Sequence, residues 1–166
     1  MSKLIHVPAD AGPMIAFPGF GTRLKIDGAV TGGSVAVVEH TLEPGLLGAP
    51  PHRHEREDET SYVLEGELTV RVLDETMTVQ PGEFVFKPRG SFHAFWNAGN
   101  RPLRFLEIIS PAGFERYFAE LKALVPAQVP PDLGAIAALA ARYGVEFDFE
   151  AMPRLIQEHG LRRGRS

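Results

Sequence analysis

The residues of this chain with the clearest capacity for chemistry lie in one short run, Pro51-His52-Arg53-His54-Glu55-Arg56-Glu57-Asp58-Glu59. His52 and His54 stand at i and i+2. In an extended segment that spacing puts both imidazoles on one face, where neutral ring nitrogens can share a metal ion. The carboxylates that follow offer oxygen donors, of which a metal needs only one; Glu55, Glu57 and Asp58 otherwise read as a solvated turn. A third histidine, His93, falls in the run Phe92–Asn97, where Phe92, Ala94 and Trp96 alternate with His93, Phe95 and Asn97. Periodicity leaves open which of those two faces points inward. His6, His40 and His159 read as surface or hydrogen-bonded side chains with no direct chemical role. Among them His40, one strand before the His-x-His segment, is placed to line the same cavity.

Strands must position these side chains. Gly and Pro punctuate the first two thirds of the chain, and between them lie runs with period-two alternation at Thr22–Ile26, Ser34–Leu42, Thr60–Leu64, Glu67–Leu73, Met77–Val79, Glu83–Lys87, Phe92–Asn97 and Leu103–Ile109. Turn signals such as Asp27-Gly28, Pro44-Gly45 and Pro81-Gly82 bound them. No helical period interrupts the series, so the sheet is expected to be antiparallel and to close into a barrel or sandwich. If His93 faces inward, Phe95 joins Phe84 or Val85 and residues of Ser34–Leu42 and Leu103–Ile109 as the inward, mostly apolar lining, which suits a small organic substrate. Gly66 and Gly90 read as chain reversals needing positive φ, and Asn97 as a turn cap rather than a catalytic amide.

After Pro111 the period changes. Phe114, Tyr117, Phe118, Leu121, Leu124 and Val125 recur on one helical face. A second helix is expected over Leu133–Tyr143, with Asp132 as N-cap and Gly144 just past its end, and a third over Ala151–His159. Their apolar stripes read as packing against the outside of the barrel, and Pro126–Pro131 as a helix-to-helix connection.

Composition narrows the function classes. The 166 residues are 44% hydrophobic and 23% charged, an ordinary globular balance expected to form one domain. No cysteine is present, which excludes disulfides, thiol catalysis and Cys-ligated zinc or iron–sulfur sites. Seventeen basic residues against 21 acidic ones give a net charge of -4, which argues against nucleic acid or an anionic membrane as the main partner. The basic tail Arg162-Arg163-Gly164-Arg165 is too short to alter that. There is no apolar run of membrane-spanning length and no basic segment leading into an apolar core at the start, so the expected address is cytoplasmic.

Two spaced motifs then carry a family resemblance. Gly45, six residues, His52-Arg53-His54, four residues, Glu59, six residues and Gly66 resemble the first motif of the cupins, G-x5-H-x-H-x3–4-E-x6-G, with one residue added in a Gly/Pro-rich loop. Gly82, five residues, Pro88-Arg89-Gly90, two residues, His93, three residues and Asn97 match the second, G-x5-P-x-G-x2-H-x3-N, at every fixed position. The resemblance implies an all-β cupin fold, a double-stranded β-helix or jelly-roll barrel, over residues 1–111 (motifs 45–66 and 82–97). Residues 112–166 would form a helical C-terminal extension packed on it within the same domain. It implies one divalent transition metal, Fe, Mn, Ni, Cu or Zn, held by His52, His54, Glu59 and His93, a donor set poorly suited to Ca or Mg. Asp58 or Glu57 is the alternative carboxylate; Glu59 is preferred for its six-residue gap to Gly66 and its side-chain length. The single-domain relatives of quercetin 2,3-dioxygenase imply further that Glu59 doubles as catalytic base, that the substrate is small and aromatic or enolic and meets O2 at the metal, and that the chain pairs as a homodimer. The same ligand set also serves cupin isomerases and decarboxylases, and a non-catalytic metal or small-molecule binding module.

Overall fold

A computed structural model describes residues 4–125 and 131–162; the Pro126–Pro131 connection, except for Pro131, and the basic tail beyond Arg162 lie outside the described residues. Eleven strands form two antiparallel sheets. They are β1 (Met14–Phe17), β2 (Phe20–Ile26), β3 (Ala36–Leu42), β4 (His52–His54), β5 (Asp58–Glu65), β6 (Leu68–Val72), β7 (Glu75–Val79), β8 (Phe84–Lys87), β9 (His93–Trp96), β10 (Leu103–Ser110) and β11 (Val145–Phe147). One sheet runs β1-β2-β3-β10-β5-β8 and the other β11-β4-β9-β6-β7. This is the expected jelly roll of two facing sheets.

All eight expected strands are present, with ends shifted by up to two residues. β10 shows why the alternation was readable: Leu103, Phe105, Glu107 and Ile109 are buried while Arg104, Leu106 and Ile108 are half-exposed. Three short strands escaped the sequence. β1 and β11 have too few residues to display a period, and β4, expected only as extended chain, is three residues long. Their existence depends on partners elsewhere in the chain: β11 pairs Val145 with His54 and Phe147 with His52.

Two glycines earn their positions by geometry. Gly66 has φ 76°, and a Cβ there would lie 2.6 Å from the Pro102 carbonyl oxygen. Gly90 has φ 79°, and its N–H donates to the His54 carbonyl at 2.7 Å, tying the turn before β9 to the strand that carries the histidine pair. Asn97 caps a turn as expected: its Nδ2 donates to the Leu42 and Arg101 carbonyls and its Oδ1 accepts from Gly99 N–H.

Caps set the start of α2 and the glycine ends that follow α2 and α3. A 3-10 turn at Phe114–Arg116 leads into α1 (Tyr117–Leu124), and α2 (Leu133–Arg142) begins at Asp132, whose carboxylate accepts from Gly134 and Ala135 N–H. Gly144 ends that segment at φ 71°. α3 (Ala151–His159) closes at Gly160 in the left-handed region. Helix and sheet share their cores. Phe114, Tyr117, Phe118, Leu139 and Ala140 pack with Ala36, Val38 and Ile109, while Met152 and Leu155 of α3 cover Ala94 and Trp96 of β9.

That last contact settles the face of β9. Phe95 and His93 point between the sheets, and Trp96 points outward beneath α3, so all four residues of the strand are buried. Leu155→Ala should cost about 3 kcal/mol of stability by leaving a cavity under the helix and red-shift the emission of the chain's single tryptophan. Denaturant unfolding followed by that emission measures both, and an unchanged midpoint would mean that α3 does not dock on Trp96.

Candidate metal centre

His52 and His54 stand on β4 with the half-exposed Arg53 between them, so both rings point inward. His93 lies directly across from His52 in the β4–β9 pair, and the two rings are 4.3 Å apart between centroids. Glu59 arrives from β5 of the opposite sheet. All four residues are at most 5% exposed, and one ligand atom from each lies within 4.8 Å of the others. These are the four residues that the motif spacing singled out, gathered in a cluster compatible with a divalent metal.

The ring nitrogens are arranged for that task. His52 Nδ1 sits 2.8 Å from the Pro50 carbonyl and His93 Nδ1 3.1 Å from the Ser91 carbonyl. A carbonyl only accepts, so each Nδ1 carries the proton and each Nε2 keeps a lone pair for a ligand. His93 Nε2 then faces Glu59 Oε2 at 3.1 Å, two acceptors that need a cation or a further proton between them. His54 has no hydrogen bond at either nitrogen; Nε2 is 3.6 Å from Glu59 Oε1, and Nδ1 is 3.4 Å from Glu57 Oε2. Buried imidazole nitrogens and carboxylate oxygens left in this state fit a shared transition metal.

The acidic run divides differently from the expectation of a solvated turn. Glu57 is buried behind His54, where its carboxylate can orient the imidazole from the side away from the cluster. Asp58 faces outward to Arg89, whose Nη2 lies 2.6 Å from Oδ2, and this bond holds the carboxyl down at about 2. Neither competes with Glu59 for the ligand position. Only Glu55 is exposed as the solvated reading requires.

Beside Glu59 lies a network that the sequence reading did not single out. Lys87, paired with Glu59 across β5–β8, is 1% exposed; its Nζ contacts Glu59 Oε2 at 3.2 Å and Glu107 Oε2 at 2.5 Å. Ser61 Oγ–H donates to the Glu107 carboxylate, 3.1 Å from each oxygen. Burial opposes ionisation of Glu59, but Lys87 and then His54 and His93 outweigh it and hold the carboxyl well below the usual range. Burial likewise works against the Lys87 ammonium, and Glu107 and Glu59 more than restore it. Glu107 is left with the burden: burial pushes it up to about 7, against the pull of Lys87. His52 and His93 are pushed down chiefly by burial, whereas at His54 the pull of Glu59 and Glu57 overcomes burial and raises the value.

Period two held the clue to both charges. Glu107 shares its face of β10 with Phe105 and Ile109, and Lys87 shares its face of β8 with Val85. The choice left open between Phe84 and Val85 resolves to Val85, which is 7% exposed against 63% for Phe84.

His52 and Glu59 form one wall of a cavity of about 260 Å³. Phe20, His40, Phe95 and Glu107 continue the wall within the sheets, and the 46–50 loop adds Leu46 to Pro50. Phe17 and Pro18 add to it from the β1–β2 turn, and the C-terminal third supplies Phe114, Tyr117, Phe118 and Leu121 around α1, Leu133 and Ile136 of α2, Phe147, Phe149 and Met152. The apolar stripes expected to cover the outside of the barrel also close its mouth. His40 does line the cavity, bonded through Nδ1 to Thr22 Oγ1 at 3.0 Å and pushed down to about 3 by burial, so it is a neutral ring among Phe20, Phe105 and Phe118.

Residues 38–109 match the family model described as a cupin domain. The chain carries a cupin domain. Among curated proteins it is 34% identical over 94 residues to the tetracenomycin polyketide synthase protein TcmJ of Streptomyces glaucescens, a match covering 56% of this chain and 62% of that protein. It is 25% identical over 130 residues to quercetin 2,3-dioxygenase of Bacillus subtilis (strain 168), covering 73% of this chain and 38% of the enzyme. In both cases the match spans less than two thirds of the relative. Among solved structures, KdgF from Halomonas sp. superposes with a TM-score of 0.59 at 21% identity, over 66% of this chain and 97% of that one, a likeness of fold. Among the described residues of this cupin no helix is long and apolar enough to cross a membrane.

Three outcomes follow. His52→Ala or His54→Ala should abolish metal retention while leaving the cupin barrel folded, and Glu57→Ala should weaken it by about 10–100-fold; elemental analysis and chelator competition decide. Because imidazoles that bind a metal must be neutral and His54 is raised, metal should be held at alkaline pH and released as acidification protonates His54, a loss that begins above the ordinary histidine value of about 6.5. In metal-free protein, Lys87→Met should cost about 3–5 kcal/mol near pH 8 by leaving two buried carboxylates uncompensated. Much of that loss should return on acidification, since with folded-state values raised above the unfolded ones, stability falls as pH rises. A loss independent of pH would place the role of Lys87 in packing.

Proposed function

We propose that this cupin is a metal-dependent oxidoreductase of the dioxygenase type, acting on a small aromatic or enolic substrate that meets O2 beside the His52, His54, Glu59 and His93 cluster. The observation that carries the reading is the cavity itself: its wall is aromatic and aliphatic, with His40, His52, Glu59 and Glu107 as its ionisable groups other than tyrosine, and no Lys or Arg lines it among the described residues. A dianionic substrate such as a small dicarboxylate or a sugar phosphate would enter with no cationic side chain to receive it, whereas a neutral ring compound is well matched. This favours the oxygenase reading over the decarboxylase and isomerase alternatives that the same ligand set serves. Similarity to quercetin 2,3-dioxygenase supports it further.

A bound divalent metal would act as Lewis acid toward a substrate oxygen and as the place where substrate and O2 come together. The chain's own part is to bind, orient and take a proton. Glu59 lines the cavity as well as the cluster, so a substrate hydroxyl reaching the cluster comes against its carboxylate, which would accept the hydroxyl proton. Lys87 keeps Glu59 ionised for that purpose. The aromatic wall from β2, β9 and the 114–118 segment orients the ring and excludes water. In this reading residues 112–166 belong to the same functional unit as the barrel, because they build half of the cavity.

The test combines metal and oxygen. Protein purified without chelators should carry near-stoichiometric iron, copper, nickel or manganese and consume O2 on addition of flavonols or catechols; Glu59→Ala and His93→Ala should lose both properties. Bound zinc, or a metal-loaded protein that never consumes O2 across such compounds, would return the isomerase or binding-module reading.

A further inference from the structure

Four residues of the described chain bury side-chain polar atoms that have no hydrogen-bond partner: His54, Glu57, Tyr117 and His159. Each such atom costs about 1–3 kcal/mol unless something satisfies it, so each calls for an explanation. His54 belongs to the candidate metal cluster, and Glu57 lies behind it against Nδ1. His159 lies against the Trp96 ring, 4.5 Å between centroids, outside the cavity. Tyr117 alone of the four lines the cavity.

Its ring is held firmly. Tyr117 opens α1, is 3% exposed, stacks on Phe114 at 5.0 Å and 17°, and meets Phe118 and Tyr143 edge-on at 5.9 and 5.7 Å. Phe114 in turn packs edge-on against His54 at 4.5 Å, which places Tyr117 one ring beyond the cluster. Burial pushes its pKa up, so the side chain stays a phenol with an O–H to donate. Of the other polar groups of the wall, His52 and Glu59 belong to the candidate metal cluster, His40 is engaged with Thr22, and Glu107 with Ser61 and Lys87.

We infer that Tyr117 is a substrate-binding residue whose hydroxyl bonds a second oxygen of the ligand. The substrate class is then a planar ring compound with oxygen at two ends: a hydroxyl at the metal cluster, and a hydroxyl or carbonyl at the start of α1. This rests on the ring-substrate reading above and adds the second anchor to it. A fixed phenol in an apolar wall discriminates against a ligand lacking its partner, because the unpaired hydroxyl gains nothing from the empty contact.

The probes are 2,6-dihydroxynaphthalene and 2-naphthol, which differ by the far oxygen alone, titrated calorimetrically into the Zn(II)-loaded protein so that no turnover intervenes. The native chain should bind the diol about tenfold more tightly than the mono-ol, and Tyr117→Phe should erase that ratio while leaving the 2-naphthol affinity unchanged. Ligand-free Tyr117→Phe should unfold no earlier than the native chain, since it removes an unsatisfied group. A preference that survives in Tyr117→Phe, no preference in the native chain, or a ligand-free variant that melts well below it would each overturn the assignment and leave the ring-substrate reading standing. If neither naphthol binds the native protein, the ring-substrate reading fails and this inference with it.

Discussion

A single ammonium group governs the interior of this barrel. Lys87 is buried between Glu59 and Glu107, and its bonds to both make it possible for two carboxylates to occupy a space otherwise filled by Val63, Val85, Phe95 and Phe105. Buried ion pairs rarely improve stability over well-packed apolar side chains, so their presence points to a need for the charge itself. Here the charge keeps Glu59 a carboxylate beside His52 and His93, which burial renders neutral. The cost falls on Glu107, whose value near 7 marks the least comfortable group in the network.

Around that network the fold resolves two competing demands. Under the proposed function the cluster has to be polar enough to hold a metal, and the cavity beside it apolar enough to hold a ring. The jelly roll meets both by drawing the cluster from two sheets, three histidines from β4 and β9 and the carboxylate from β5, and by placing it at one end of the barrel's apolar interior. Backbone carbonyls of Pro50 and Ser91 fix two of the imidazole tautomers without introducing further charge. Phe114 and Phe147 pack against His54 and His52, so the tail holds the histidines from the cavity side. The C-terminal third is therefore both cover and wall: β11 extends the sheet that carries the histidines, and α1, α2 and α3 close the cavity.

Much of this was legible in the residues. The i, i+2 histidine pair, the spacing to Glu59 and the second motif at His93 named all four members of the cluster. Capping rules placed α2 between Asp132 and Gly144, and period two located eight strands. The misreadings share one cause. Glu57 passed for a solvated residue and Lys87 for an ordinary strand residue because a charged side chain is normally exposed, and only a partner from elsewhere in the chain makes burial affordable. Glu107 could have been suspected from its place between Phe105 and Ile109, but nothing local says that Lys87 and Ser61 lie opposite.

By itself, then, the sequence determined the strand series, the limits of α2 and the i, i+2 histidine pair, which are written in short-range spacing and turn chemistry, and the two motifs whose family resemblance implied the four clustered side chains. The tertiary structure alone decided the phase of β8 and β9, the pairing of β11 with the histidine strand, the bridge from Lys87 to two carboxylates, and the return of the tail to wall the cavity. These are contacts between segments tens of residues apart, set by how two sheets and three helices pack, and no local period encodes which side chains such packing brings face to face.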